Sequence, residues 1–505
     1  MFLQFFNLID CRNFKECAQH SYKTVSCIQP KPLNNDQEDN PVSKTTPSDT
    51  SYEKTDVIGK EKISKLLVRF SGPAIIAAET FAFYNLLDAV WCGFLGNEAL
   101  AALTVANPLM AIYRAVGGGI GVGAASLISR KLGAGKKEEA SRIAGCSISV
   151  FFIIAGLTTT ICLLNLETLL RIFGANEAVL PFAISYMFIE TCFIALDFFL
   201  VLLVELVRVQ GEPKLASASL IISSILDIIW SPILVFGVGP FPELGIAGAA
   251  LGTTIGRAVG VSILLAYLGV GKSIYQFSRA HFIPNLKITF EIYRVGISQT
   301  VRAGSISLSQ AVANNVAVSF GIVPLALLGV LFKVNMIVFS FCIGLSQGML
   351  PLVGYNYGAQ KKDRVGEVVV KSALTSLAWG TLCWIVTMLF PNQIISLFGT
   401  ETNFLSGGTI ALFLFSLTFF TTGIQINLSS FFQGIGKGIP SLILAASRDL
   451  IFLIPCLLVM PNAFGLAGLW AAYPVANVLS LTLSLIWTHL TFRAIGIPYR
   501  LRSSA

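Results

Sequence analysis

The sequence has 505 residues, 54% of them hydrophobic and 12% charged, with a formal net charge of +8. An average globular protein carries about 25% charged residues, so this composition excludes an ordinary soluble enzyme, a nucleic-acid binder and a wholly disordered chain. The charge is also uneven, with 18 of the 62 charged residues in positions 1–65 and 44 spread over the other 440.

In chain order, residues 1–64 are rich in Asn, Asp, Ser, Thr, Lys and Pro and read as a disordered cytoplasmic tail, because they lack the apolar surface that folding needs. The opening Met1–Ile9 is apolar but too short to span a bilayer. No basic stretch precedes it, so it does not read as a signal peptide. Twelve apolar runs follow, at about 67–91, 98–128, 142–165, 179–207, 215–238, 245–269, 293–320, 325–352, 367–390, 408–432, 440–460 and 466–492. This predicts an all-α membrane protein of twelve transmembrane helices.

The connections alternate in charge. One set holds Arg130, Lys131, Lys136, Lys137 and Arg142, then Arg208 and Lys214, then Lys272, Arg279, Lys287 and Arg294, then Lys361, Lys362 and Arg364, and finally Lys437. The other set holds Arg171 alone. Basic residues concentrate on the cytoplasmic side of a membrane protein, which places the first set and both termini in the cytoplasm of a multi-pass cell-membrane protein. Cys11, Cys17 and Cys27 in the tail lack metal-ligand spacing, and His20, His281 and His489 form no constellation. Gly117-Gly-Gly-Ile-Gly lies inside a span without the Gly-Lys-Ser/Thr of a nucleotide-binding loop, so energy comes from an ion gradient or from a partner.

The two halves match at an offset of 225. Gly133-Ala134-Gly135-Lys136-Lys137 aligns with Gly358-Ala359-Gln360-Lys361-Lys362, Gly96 with Gly321, Gly119 with Gly344 and Gly123 with Gly348. Near the end of each half, Gly245-Ile-Ala-Gly248 recurs as Gly465-Leu-Ala-Gly468. Six spans per offset give both halves the same topology, a parallel repeat about an axis along the membrane normal. The predicted division is a tail at 1–64, a first six-helix lobe at 65–270, a cytoplasmic linker at 271–290, a second six-helix lobe at 291–495 and a short cytoplasmic tail at 496–505.

Specific motifs lie on this frame. They are Tyr84-Asn85-Leu86-Leu87-Asp88, Gly96-Asn-Glu-Ala-Leu-Ala-Ala-Leu, Gly123-Ala-Ala-Ser-Leu-Ile-Ser-Arg-Lys-Leu-Gly133, Pro351-Leu-Val-Gly-Tyr-Asn-Tyr-Gly-Ala359 and Gly468-Leu-Trp-Ala-Ala-Tyr-Pro474. Together they resemble the multidrug and toxic compound extrusion (MATE) family over about 66–495. The resemblance implies an antiporter that expels organic, often cationic compounds against inward proton or sodium flow. It also implies a multidrug-efflux role without cofactor, nucleic acid or obligatory protein partner. A lipid-linked oligosaccharide flippase of the wider superfamily and a membrane scaffold or receptor are the rival readings.

Ionisable groups in hydrocarbon are costly and mark function by default. Asp88 sits some twenty residues into the first run, where a carboxylate can take up a proton in one state and release it in another. The resemblance places the coupling carboxylate there. Asp227 is its expected partner. The family's fifth helix reads Asn-x-x-x-Asp-Pro, and here it reads Asp227-Ile-Ile-Trp-Ser231-Pro232. The acid has moved one turn, about 6 Å, along the same helix face. Asn85, Ser231 and Thr253 supply neutral oxygens, so a proton or a sodium ion fits this set, and no other metal is expected. Tyr84, Glu79, Glu190, Asp197 and Arg302 are candidate lining of a substrate cavity. The alternatives are an interhelical bond or paired charge for Glu190 and Asp197, and a cytoplasmic snorkel for Arg302, with Lys333 and Arg448/Asp449 as similar cases. Glu205, three residues from Arg208, reads as a surface ion pair.

Overall fold

The computed structural model describes residues 57–270, 273–398 and 402–498. Lys272 and the tail residues Cys11, Cys17, Cys27 and His20 lie outside them. After a helical turn at 57–60, whose Ile58 is buried, the chain runs α1 Ile63–Phe94, α2 Asn97–Gly133 and α3 Lys137–Leu164. Next come α4, α5 Pro213–Phe236 and α6 Ile246–Gly269. In the second half stand α7 Leu286–Ser319, α8 Ile322–Gly358 and α9 Lys362–Leu389. Two helices are broken. Leu180–Cys192 and Ile194–Val209 form α4 with a bend of 48°, and Thr402–Ser416 and Phe419–Gly434 form α10 with a bend of 41°.

Eight helices among the described residues are long and apolar enough to cross a bilayer, and ten are when each bent pair counts as one span. Two more observations bring this to the twelve expected runs. Leu286–Ser319 is 34 residues long, enough to span, and only its polar residues keep it from the apolar set. The last long helical stretch, Gly438–Ile495, is two helices divided at Gly465, whose φ of 60° and ψ of −143° no helix contains. Gly245, which opens α6, has nearly the same conformation, φ 56° and ψ −137°. A side chain at either position would be strained, and glycine starts the last helix of each half in the same way. We number the final pair α11, from Gly438 through a π-helical turn at Ser447–Leu453 to the break, and α12, from the break to Ile495.

The repeat is visible in the backbone. The bounds of α2 and α3 recur in α8 and α9 at the expected offset of 225, and Gly96 and Gly321 share a φ of 119°. Arg171, the basic exception in the sparsely charged connections, is matched by Glu167 at 3.0 Å and Glu177 at 2.7 Å. In the basic set, Glu139 accepts from Lys131 at 2.5 Å and Lys136 at 2.8 Å, and these two ammonium groups hold its carboxyl down to about 2.

The halves are sealed at the end that carries the basic connections. Ser71 on α1 donates to the Leu345 carbonyl on α8 at 3.1 Å, and Thr300 on α7 donates to the Ala115 carbonyl on α2 at 2.9 Å. Ser126 on α2 donates to the Gln433 carbonyl on α10. The backbones of α2 and α7 touch at Gly119 and Gly296, where a Cβ on Gly296 would stand 2.0 Å from the Gly119 carbonyl oxygen. Lys361 donates to the Gly59 carbonyl at 2.8 Å, and Arg364 to those of Ile58 and Glu61 at 3.0 and 2.6 Å, which ties the start of the described chain to the turn between α8 and α9. The apolar core of the first half is accordingly continuous with Met349–Val353, Phe431, Phe432 and Phe492 of the second. A separate core around Leu327, Leu331, Phe415, Leu469 and Trp470 fills the other end of the second half.

Candidate functional site

The first site forms between α1, α5 and α6. Gly252 on α6 faces Ser231 on α5 so closely that any Cβ would meet the Ser231 Oγ at 2.5 Å. That approach puts Thr253 against the α5 carboxylate. Asp227 Oδ1 accepts from Ser231 at 2.7 Å and from Thr253 at 3.1 Å, and all three side chains are buried. Asp88 on α1 stands within electrostatic range of Asp227 and close to Ser231. Four of the five residues expected to carry ion coupling are thus brought together. The Asn85 amide N–H donates to the Phe81 carbonyl one turn back on its own helix, at 2.7 Å, and its side-chain oxygen makes no hydrogen bond to the other four. Among the described residues, no group of three or more His, Cys, Asp or Glu is arranged to hold a metal ion.

Glu190 and Asp197 have a partner that the sequence reading missed. Arg257 on α6 donates from Nη1 to Glu190 at 2.7 Å and reaches Asp197 from Nε at 3.1 Å. Of the two readings held open for these acids, the structure displays the paired charge. Arg257 also stands within electrostatic range of Asp88 and Asp227, so all four acids and this guanidinium form one cluster, with Glu190, Asp227 and Arg257 buried and Asp88 and Asp197 half-buried. Tyr84 is enclosed among Arg114, Arg257, Asp227 and Asp88, with its ring edge-on to Phe81 at 5.1 Å. Arg114, also missed, rests over the Phe81 ring at 5.1 Å. Both arginines were visible as lone cations inside the second and sixth apolar runs. The rule that flags intramembrane acids applies to them equally.

The remaining candidates stand elsewhere. Glu79 accepts from Ser340 on α8 at 2.7 Å and so bridges the halves. Arg302 does not snorkel to the basic end: its guanidinium donates to Ser429 on α10 at 2.7 Å inside the second half, near Arg448 and Asp449. The Glu205–Arg208 pair, at 2.5 Å, is buried rather than on the surface. The segment after α6 covers it, with Tyr275 donating to the Leu206 carbonyl at 3.0 Å and Gln210 accepting from Ser273 at 2.9 Å.

With this geometry in place, the MatE family model matches residues 73–233 and 304–458, one segment in each half. The chain belongs to the MatE family. It is therefore a multi-pass membrane transporter and not an enzyme, as the motifs implied. Among curated relatives, this MatE chain is 26% identical over 432 residues to the multidrug export protein MepA of Staphylococcus saprophyticus, covering 85% of this chain and 94% of that one. It is 26% identical over 451 residues to MepA of Staphylococcus haemolyticus, covering 88% and 95%. Among solved structures, it is similar to an outward-facing multidrug resistance MATE family transporter of the MOP superfamily (TM-score 0.81, 25% identity, 87% and 98% covered). It also resembles a MOP superfamily transporter of Pyrococcus furiosus described as having a binding pocket of reversed polarity (TM-score 0.82, 25% identity, 87% and 98% covered).

Proposed function

We propose that this chain is a secondary antiporter that exports organic compounds carrying positive charge, in exchange for protons or sodium ions entering the cell. The observation that supports this most directly is the pair of half-buried Asp88 and buried Asp227 with the hydroxyls of Ser231 and Thr253, set inside one half of a MatE transporter. Four acids stand against two arginines, Arg257 and Arg114, in that cluster, an excess of negative charge suited to cations. The lobes, 65–270 and 291–495 with the linker 271–290 between them, alternate access by rocking about the seal of α1, α2, α7 and α8. With the basic connections and both termini in the cytoplasm, the sealed end is cytoplasmic and this form opens outward. Ion entry at Asp88 and Asp227 neutralises charge in the first lobe, which weakens its hold on a bound cation and favours release outside.

The test is substrate-driven ion movement in proteoliposomes, comparing wild type with Asp88→Asn and Asp227→Asn under a pH gradient and, separately, a sodium gradient. The expected result is gradient-driven efflux in the wild type, lost in both variants, with the effective gradient naming the ion. Normal transport by both variants would overturn the first-lobe site.

A further inference from the structure

The second lobe contains a cavity of about 300 Å³ that the coupling site does not use. Its wall is formed by α7, α8, α11 and α12, just beyond the point where Thr300 and Ser340 tie these helices to the first lobe. Lys333 and Arg448 line it, with Asp449 as its one acidic side chain. Among the described residues, neither cation makes an ion pair. Lys333 lies 5.7 Å from the Phe398 ring centroid and Arg448 lies 6.0 Å from that of Phe339. Arg302 sits behind this wall and adds to the positive field. An unpaired guanidinium at this depth is costly and calls for an anion.

Tyr473 packs in the same wall. Its ring is held edge-on to Phe332 at 6.2 Å and against Phe415 at 4.5 Å, and it is only 5% exposed. Its buried hydroxyl has no hydrogen-bond partner. A buried O–H without an acceptor is unfavourable and rare. Tyr473 lines the cavity with its ring, since its hydroxyl has no exposed surface, and Arg448 and Asp449 are within electrostatic range of it. The π-helical turn Ser447–Leu453 places Arg448, Asp449 and Leu453 on this one wall. Such turns interrupt the regular helical register, often at functional sites.

We propose that this cavity binds the carboxylate of an aromatic amphiphile, with Arg448 and Lys333 as its donors. A carboxylate is planar and takes two guanidinium N–H groups at once, while a lysine serves its remaining lone pairs. Asp449 on the same wall disfavours a dianion such as a phosphomonoester. Phe332, Phe339 and Met336 supply an apolar bed for a ring. The inference rests on the exporter reading and sharpens it: the substrate carries its cationic group toward the first lobe and a carboxylate toward the second.

The test uses one dye in two forms, zwitterionic rhodamine 110 and its methyl ester rhodamine 123, which lacks the free carboxylate. Binding is read by fluorescence anisotropy on the purified full-length protein in detergent. Arg448→Gln and Lys333→Gln are each expected to weaken rhodamine 110 by roughly tenfold, the size of a hydrogen bond to a charged group, and to leave the ester within about twofold. Arg448→Lys keeps the charge but loses the paired N–H contact, and is expected to weaken the acid form alone, by about threefold. It decides the matter if the charge variants do not fold. A wild type that does not bind rhodamine 110, or variants that change both dyes equally or neither, would overturn the proposal. Transport in proteoliposomes separates the two readings. Ester export without the carboxylate-selective losses leaves the exporter standing and removes this site. Carboxylate-selective binding without export of either dye keeps the site and removes the exporter reading.

Discussion

Asp227 places both of its hydroxyl partners on one carboxylate oxygen, Oδ1, and among the described residues Oδ2 accepts no protein hydrogen bond. That leaves one oxygen without a protein hydrogen bond. The hydroxyls of Ser231 and Thr253 therefore help to hold the charged form, whereas Asn85 is occupied by its own helix. Ser231→Ala and Thr253→Val are each expected to slow gradient-driven efflux about tenfold, as loss of a hydrogen bond to a charged group implies. Asn85→Ala is expected to stay within about twofold of wild type. Initial rates in proteoliposomes check all three, and equal losses at Asn85 and Ser231 would contradict the assignment. The sequence made Asp227 and Ser231 legible as a unit because four residues on a helix return to one face. The hold on the Asn85 amide was not legible, because a polar side chain in a helix can satisfy itself on the carbonyl one turn back, which spacing alone does not reveal. Arg257 was legible as a residue but not as a partner, since its two acids lie on α4, 60 and 67 positions earlier.

Helix α4 shows where an element departs from its sequence pattern. Residues 179–207 read as one straight run, yet the helix bends by 48° at Phe193, with neither Pro nor Gly at the break. The cause lies in tertiary pairing. Glu190 ends one half and Asp197 opens the other, and Arg257 holds both. Spans, their number and the repeat were legible because apolar length and glycine-marked turns are local signals. A bend held by a residue two helices away leaves no local trace. Removing the guanidinium leaves two acids without their cation, which for buried ion pairs costs about 3–5 kcal/mol. Arg257→Gln is therefore expected to lower the melting temperature of the purified protein by several degrees. Adding Glu190→Gln and Asp197→Asn should restore most of it, because no charge is then left unpaired. A single variant that melts with the wild type would show that Arg257 does not clamp the bend.

At the scale of the whole molecule, the seal between halves depends on helices that meet backbone to backbone. The contact of Gly119 with Gly296 leaves no room for a methyl group, since a Cβ on Gly296 would stand 2.0 Å from a carbonyl oxygen that belongs to the other half. Gly296→Ala must part α2 from α7 by roughly 1 Å to restore an ordinary contact. Overpacking of this kind costs about 1–3 kcal/mol, and the cost falls on this sealed form alone if the two helices separate in the alternate state. Each 1.4 kcal/mol is a tenfold shift in population, so the variant is expected to spend at least several times longer unsealed. Hydrogen–deuterium exchange by mass spectrometry reads this on the native chain. Segments 115–123 and 292–300 should take up deuterium faster in Gly296→Ala, while α5 and α6, which pack within the first half, should exchange as in the wild type. A uniform increase across the molecule would mean general destabilisation. An unchanged seal would mean that the serine and threonine bonds, rather than the glycine contact, hold the halves together.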